Sequence, residues 1–553
     1  MGTLPWRSLQ VGSAALTIVA GALGAAQSDP GPARAPQELA LELADYAALP
    51  VTGSPDGEGN NAGALARING LREEPTASRR LFVNDLTGPL HILDRKTRQA
   101  TTYLNLNGRP PREGLFRRFT FETGLASGFI SFEFDPEYAK NGRFYTIHLE
   151  DVDADVPPGP DTTRTPRLAA SGYVITSPVP TPGGGAHESV LIEWTDTNIA
   201  NTTFEGTARE LLRVQGGSRF HPMGDLAFNP TSRPGDPDWR VLYVACGDSA
   251  AGEQTTAVRS NPQRLDAMAG KILRIIPDLS AHAATSTVSE NGRYRIPRDN
   301  PFTSIDGARK EIWAYGLRNP HRLAWDVDPV RPANNHLIAS VVGLRTWETV
   351  VIVHKGANYG YSEREGLQRL LPDNRLSDLP DADVIPVRVT DTLTHGTVGP
   401  TYPVLQYGHT ASGGDAIAGG FVYRGRAVPA LRGRFVLGDT STGRLWIATF
   451  DEMVKVDGQH PPRVAETREL HVRWNDPSDA PDRGSQVYST MFDVARAGYH
   501  ARGGKRADLP GRATLAPSGR VDLRFAVDRD GELYLLTKSD GMIRVVTGIG
   551  PSR

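Results

Sequence analysis

The sequence predicts an all-β chain of radially repeated sheets, and three observations carry that fold class. Six short runs are alike in being rich in β-branched and aromatic residues: Leu81-Phe82-Val83, Phe144-Tyr145-Thr146-Ile147, Val241-Leu242-Tyr243-Val244, Ile312-Trp313-Ala314, Phe435-Val436-Leu437 and Leu533-Tyr534-Leu535-Leu536. Charged-glycine turns such as Asn141-Gly142-Arg143, Arg432-Gly433-Arg434 and Asp530-Gly531-Glu532 precede several of them, and Gly247-Asp248 and Gly438-Asp439 follow two. Amphipathic helical patterns are few, with Glu38 to Leu49 and Gln263 to Ile272 as the candidates. Strand, turn and strand units recurring at large spacing are the signature of a β-propeller. The runs lie roughly 60 to 120 residues apart, more than the ~40–50 of compact blade repeats. Long insertions therefore separate the strands, at 153–170, 278–300, 367–400 and 455–485, and such loops are where these folds place function.

Composition narrows the function classes. The 553 residues carry 61 Lys and Arg against 63 Asp and Glu, a net charge of −2. That balance gives no electrostatic footprint for nucleic acid or for an acidic membrane surface. At the N-terminus, Arg7, the apolar run Val11 to Ala22 and the small residues Leu23-Gly24-Ala25-Ala26 read as an export signal over residues 1–26. The run is shorter than the about 20 apolar residues of a membrane span, so no span is expected after cleavage. Residues 27–75, rich in Ala, Pro, Gly and Asp, read as a low-complexity extension, with ordered structure beginning just before Leu81 and one propeller domain over 76–550. The single cysteine, Cys246, excludes an internal disulfide and a multi-cysteine zinc site, and its strand Leu242-Tyr243-Val244-Ala245-Cys246 makes it a core thiol. An exported chain without disulfides suits a periplasmic or secreted location.

Polar residues concentrate in five stretches. In Glu311 to Asp326 a strand breaks at Gly316 and presents Arg318, Asn319, His321 and Arg322. Two guanidinium forks and an amide suit a planar, multiply carboxylated ligand; pairing with nearby acids is the alternative. In Arg219 to Pro230, His221 stands before a strand, and an imidazole titrating near ~6.5 suits a general base; a structural loop histidine is the alternative. The remaining stretches are Asn261 to Ile275, Trp347 to Tyr361 and the glycine-dense Gly413 to Gly425.

Taken in order, EIWAYGLRNPHR, GKILRI, KGANYGY and GGFVYRG followed by PALRGRFVLGD resemble the soluble quinoprotein sugar dehydrogenases, the glucose/sorbosone dehydrogenase family. The resemblance covers about residues 80–450, with a fainter match over 520–545. It implies a six-bladed β-propeller, pyrroloquinoline quinone (PQQ) and Ca2+ as cofactors, and oxidation of the anomeric carbon of an aldose sugar by hydride transfer to the quinone. On this resemblance His221 takes the hydroxyl proton, with Gly224, Leu226 and Phe228 matching the surrounding pattern. Arg318 and Asn319 contact the quinone, and Arg424, Arg520, Arg524 and Lys538 are further candidates around it. The carbonyls of Gly343 and Leu344, with Glu348, would hold calcium. The chain departs from the family where Val341-Val342-Gly343-Leu344 replaces a more polar loop, and where Thr440-Ser441-Thr442 stands in place of a lysine. The implied partners are a small sugar and an electron acceptor that the sequence does not name. Two other readings stay open: a non-enzymatic propeller binding a glycan or a protein, and a Ca-dependent lactonase-type hydrolase using Glu133, Asp225 and Asn319.

Overall fold

The computed structural model describes residues 38–552 apart from 54–62, 122–126, 164–166, 186, 254–256, 329–330 and 477–483. The expected signal segment lies outside the described residues. Among those described, the principal strands group into six four-stranded blades that follow one another along the chain, the last two joined into one continuous sheet. Blade I comprises Ile68–Glu73, Leu81–Asp85, Pro89–Leu93 and Ala100–Asn105. Blade II comprises Phe129–Phe134, Arg143–Asp151, His187–Asp196 and Gly206–Gly216, and blade III Met223–Phe228, Leu242–Cys246, Lys271–Ile275 and Ile312–Tyr315. Blade IV comprises Asn319–Asp326, His336–Val342, Trp347–Ile352 and Leu405–Gly408, and blade V Ile417–Val422, Arg434–Asp439, Leu445–Thr449 and Thr467–Trp474. Blade VI takes Leu523–Val527, Leu533–Thr537 and Met542–Pro551 from the C-terminus and its outer strand, Leu39–Ala48, from the N-terminus. The inner strands of I to VI touch in succession, and VI touches I, so the ring is closed.

The closure explains why the strands read as apolar runs. Each blade is covered on both faces, and side chains alternate between them. In Leu242–Cys246, Leu242, Val244 and Cys246 face blade II while Tyr243 and Ala245 face blade IV. Six apolar wedges result, one for each pair of neighbouring blades. The helix Met491–Ala501 adds Met491, Val494, Ala495 and Tyr499 to the wedge between V and VI. No helix among the described residues is long and apolar enough to cross a membrane.

Three expectations are corrected. Glu38 to Leu49 was expected as a short helix in a loose extension; Leu39–Ala48 is instead a strand, antiparallel to Met542–Pro551 and parallel to Leu470–Trp474 of blade V. Its Ala- and Leu-rich sequence favours helix locally, but pairing and burial of Ala40, Leu41, Leu43 and Ala47 override that preference. Among the described residues the blades accordingly include this strand and Ile68–Glu73, ahead of the expected boundary at 76. Finally, Gln263 to Ile272 is no helix: a 3-10 turn ends at Gln263 and a strand begins at Lys271.

One face of the ring gathers the heads of the inner strands and the turns joining second to third strands. Four of these turns, in blades I, III, V and VI, are hydrogen bonded to the head of the next blade: Phe129 N–H to the Leu86 carbonyl (3.0 Å), Asp248 N–H to the Arg318 carbonyl (2.7 Å), Leu523 N–H to the Thr440 carbonyl (3.1 Å) and Ala66 N–H to the Lys538 carbonyl (3.3 Å). This face is the axial mouth.

Candidate active site

At the head of blade III, His221 adopts a left-handed backbone (φ 53°) just before the strand Met223–Phe228. Such a conformation is costly for a residue with a Cβ and clusters at functional positions. Ser249, Ala250 and Asp522, also at the mouth, share it. The His221 Nδ1 lies 2.6 Å from Asp248 Oδ1. Asp248 is fully buried, and its carboxylate also accepts the N–H of Ala250 (2.9 Å) and of Gly252 (3.0 Å). Burial pushes the Asp248 pKa up, but His221, Arg318 and the Gly252 N–H outweigh it and hold the group below its ordinary value. An ionised carboxylate only accepts, so the neutral imidazole donates from Nδ1 and keeps its lone pair on Nε2. The His221 side chain is 14% exposed. The approach depends on Gly247, where a Cβ would stand 2.4 Å from the His221 carbonyl oxygen.

At the head of blade IV, Arg318 and Asn319 are both at least nine-tenths buried. The Arg318 guanidinium donates to the carbonyls of Gly343 and, at 3.4 Å, Val342. The chain reaches this position through Gly316 (φ 73°), where a Cβ would meet Asn358 Oδ1 at 2.2 Å. Below that turn Gln263 and Asn358 exchange two amide hydrogen bonds of 2.9 and 2.8 Å, and Gln263 also donates to the Tyr361 carbonyl. The stretches Asn261 to Ile275 and Trp347 to Tyr361 thus support the Gly316 turn.

Blade VI stands three blades from blade III and therefore faces it across the axis. Here Arg524 donates to Asn69 Oδ1 (3.1 Å) and Thr440 Oγ1 (2.8 Å), and Arg520 pairs with Asp522 at 2.9 Å. Burial, with Arg322 nearby, pushes Arg524 down to about 9. Lys538 is buried beside them and is driven well below its ordinary pKa by burial and by Arg524, with Arg67 and Arg322 adding to the effect against Asp522. His321 is held neutral by burial and by the positive charge of Arg524 and Arg322.

The structure brings His221, Arg318, Asn319, Arg520 and Arg524 to one mouth. Arg424 is elsewhere: it pairs with Asp326 at 2.7 Å, at the far end of the strand that begins with Asn319. Seven residue steps of ~3.3 Å separate these ends, about 23 Å. Arg424 is thus removed from the candidate site.

Calcium does not fit the residues expected to hold it. The Gly343 carbonyl already accepts the Arg318 guanidinium. Glu348 accepts from Gly343 N–H (3.1 Å), His409 Nε2 (2.7 Å) and Ile417 N–H (2.7 Å), and burial raises its pKa despite these donors. The N–H groups of Leu344, Arg345, Thr346 and Trp347 converge on Glu365 Oε1 at 2.9–3.2 Å. That loop surrounds an anion with donors, whereas calcium needs converging oxygens. The lactonase-type cage fails on similar grounds, because Glu133 and Asp225 are both paired with Arg72, at 2.7 and 3.0 Å. Among the described residues no group of three or more His, Cys, Asp or Glu could hold a metal. Around Lys538, by contrast, cations outnumber acids, the charge balance that a polycarboxylate requires.

In the sequence alone Asp248 reads as a turn residue. The signal available was its shared position with Asp439, since Gly-Asp ends the second-strand run in blades III and V.

Residues 75–369 match the family model described as Glucose / Sorbosone dehydrogenase. Over 495 residues the chain is 26% identical to the HIPL1 protein of Arabidopsis thaliana, covering 87% of this chain and 61% of that protein. Over 160 residues it is 31% identical to the aldose sugar dehydrogenase YliI of Escherichia coli (strain K12), covering 29% of this chain and 33% of that protein. A crystal structure of a glucose dehydrogenase superposes with a TM-score of 0.50 at 17% identity, over 88% of this chain and 98% of the other, a likeness of fold. The chain spans about three-fifths of the length of the HIPL1 protein.

Proposed function

Because this chain belongs to the glucose/sorbosone dehydrogenase family, we propose that it is a PQQ-dependent dehydrogenase oxidising the anomeric carbon of an aldose sugar. The observation that carries this reading is the buried Asp248 carboxylate on His221 at the mouth of the ring. PQQ, when bound, supplies the hydride acceptor. The chain supplies the rest. Asp248 fixes the imidazole as the Nδ1–H tautomer, which makes Nε2 the atom that takes the proton of the sugar's anomeric hydroxyl. Arg318, Asn319 and Arg524 would hold the cofactor's polar rim, and a neutral His321 adds no further positive charge there. The export-type segment over residues 1–26 supports action outside the cytoplasm.

The test is His221→Ala in protein loaded with PQQ, followed by sugar-dependent dye reduction. Activity should fall by about 10²–10⁴-fold, the usual contribution of a positioned base, while PQQ still perturbs the protein's absorbance on binding. Unchanged dye reduction would sink the assigned role. A second reading, a propeller that binds a glycan or protein without turnover, is favoured by apolar Val341 and Leu344 at the mouth. It would be the better account if wild-type protein gave no spectral change with PQQ.

A further inference from the structure

Residues 353–404 join the third and fourth strands of blade IV, yet they begin by pairing with blade III. Tyr315 N–H, in the outer strand of blade III, donates to the Ala357 carbonyl (3.0 Å), and Tyr359 N–H donates to the Tyr315 carbonyl (2.9 Å). At the mouth the segment meets both turns that place Arg318. Tyr361 N–H donates to the Gly316 carbonyl at 2.9 Å, on the turn leading into Arg318. Four residues on, Glu365 reaches the turn whose Gly343 carbonyl accepts the Arg318 guanidinium.

Glu365 is 5% exposed. Its Oε1 accepts four successive N–H groups, from Leu344 to Trp347, while Oε2 is buried with no hydrogen-bond partner among the described residues. Successive N–H groups converging on one point make a nest for an anion, and here the anion comes from the chain itself. The surroundings pin it. Arg364 donates to Asp383 at 2.6 Å, and Trp347 Nε1 donates to Gln368 Oε1 at 2.9 Å. A Cβ on Gly343 would stand 1.7 Å from the Trp347 carbonyl oxygen, so the turn closes in this form only on glycine.

We propose that Glu365 is a positioning residue for the cofactor grip. With the turn's N–H groups drawn onto its carboxylate, the Gly343 carbonyl is left to hold Arg318. The turn expected to bind calcium is thus organised by an internal anion, with no cation needed to shape it. Glu365 touches neither cofactor nor sugar; it acts through Arg318. This rests on the reading of Arg318 as a PQQ contact and adds what holds that contact in place.

The experiment vacates the nest and refills it. Glu365→Ala in the full-length protein leaves four N–H groups without their acceptor, and formate is a carboxylate small enough to replace it. Formate should raise the Tm of E365A but not of wild type at the same concentration, and calcium should not raise it. PQQ binding, read by quenching of tryptophan fluorescence, should weaken by about 10- to 100-fold in E365A, the range usual for groups that orient a ligand's contacts. Formate should restore it to within about threefold of wild type, a recovery that a merely structural loss would not show. Glu365→Gln keeps the shape and supplies a second measurement should E365A fail to fold. If Glu365 acts through Arg318, the effects of E365Q and Arg318→Lys on the PQQ Kd are non-additive. Rescue by calcium instead of formate, additive losses in E365Q/R318K, or no PQQ binding by wild type would overturn the proposal. Formate rescue of Tm and PQQ binding without sugar-dependent reduction of bound PQQ would leave the positioning role standing and remove the dehydrogenase reading.

Discussion

Replacing Asp248 with Asn tests whether the carboxylate orients His221 or only fills space. Three donors converge on the native side chain: His221 Nδ1 at 2.6 Å and the N–H of Ala250 at 2.9 Å on Oδ1, and the N–H of Gly252 at 3.0 Å on Oδ2. An amide of the same shape offers one acceptor and one NH2. If its oxygen stays on His221 and Ala250, the NH2 opposes the Gly252 N–H, and the charge that stabilises a protonated ring is lost. If the amide flips, its NH2 faces Nδ1, forcing the proton onto Nε2 and removing the lone pair from the substrate side. Hydrogen bonds to charged groups contribute about 1.5–3 kcal/mol, which corresponds to a loss of about 10- to 150-fold in kcat/KM at 1.36 kcal/mol per decade. The assay is steady-state dye reduction by the PQQ-loaded variant across pH, with Tm as a control. A group that merely filled space would not move the pH profile. An orienting carboxylate favours the imidazolium, so the acid limb of D248N should shift to lower pH. Activity within threefold of wild type together with an unmoved acid limb would refute the argument.

Three further outcomes are expected. Chelation with EDTA should leave PQQ binding and Tm unchanged, because Arg318 already occupies the Gly343 carbonyl; a calcium-dependent rise in Tm lost in Glu348→Gln would contradict this. Burial pushes the Cys246 thiol up to about 12, so the native protein should not react with a thiol reagent at pH 8, whereas unfolded protein should yield one equivalent. Burial also raises Glu133 to about 7, against its Arg72 partner. A carboxyl raised on folding stabilises fully below its unfolded pKa of ~4.5 and loses that contribution as pH rises through the folded value. The stability of wild type relative to Glu133→Gln should therefore fall between pH 5 and 8, by up to about 3 kcal/mol for a shift of this size, as read from denaturant midpoints; a gap independent of pH would show that Glu133 is not raised.

What was legible follows from how far each feature reaches along the chain. Strands buried on both faces write their burial into five or six consecutive residues, so Leu242–Cys246 or Leu533–Thr537 can be recognised alone. The placement of Arg318, Asn319 and His221 at strand heads was legible for a similar reason, since each stands where a local break in the chain ends beside a strand. Leu39–Ala48 was not, because its strand partners begin more than four hundred positions later and its own residues favour helix. Arg424 misled because nearness to glycines in sequence does not say which end of a blade a turn occupies, and Asp326 holds it at the far end. Asp248 and Lys538 lie in equivalent turns of blades III and VI, whose surroundings exist only when the ring closes. Closure itself rests on the N-terminal strand joining the C-terminal blade. The strand hidden in the least promising segment of the sequence therefore completes the blade that sets Lys538 opposite His221.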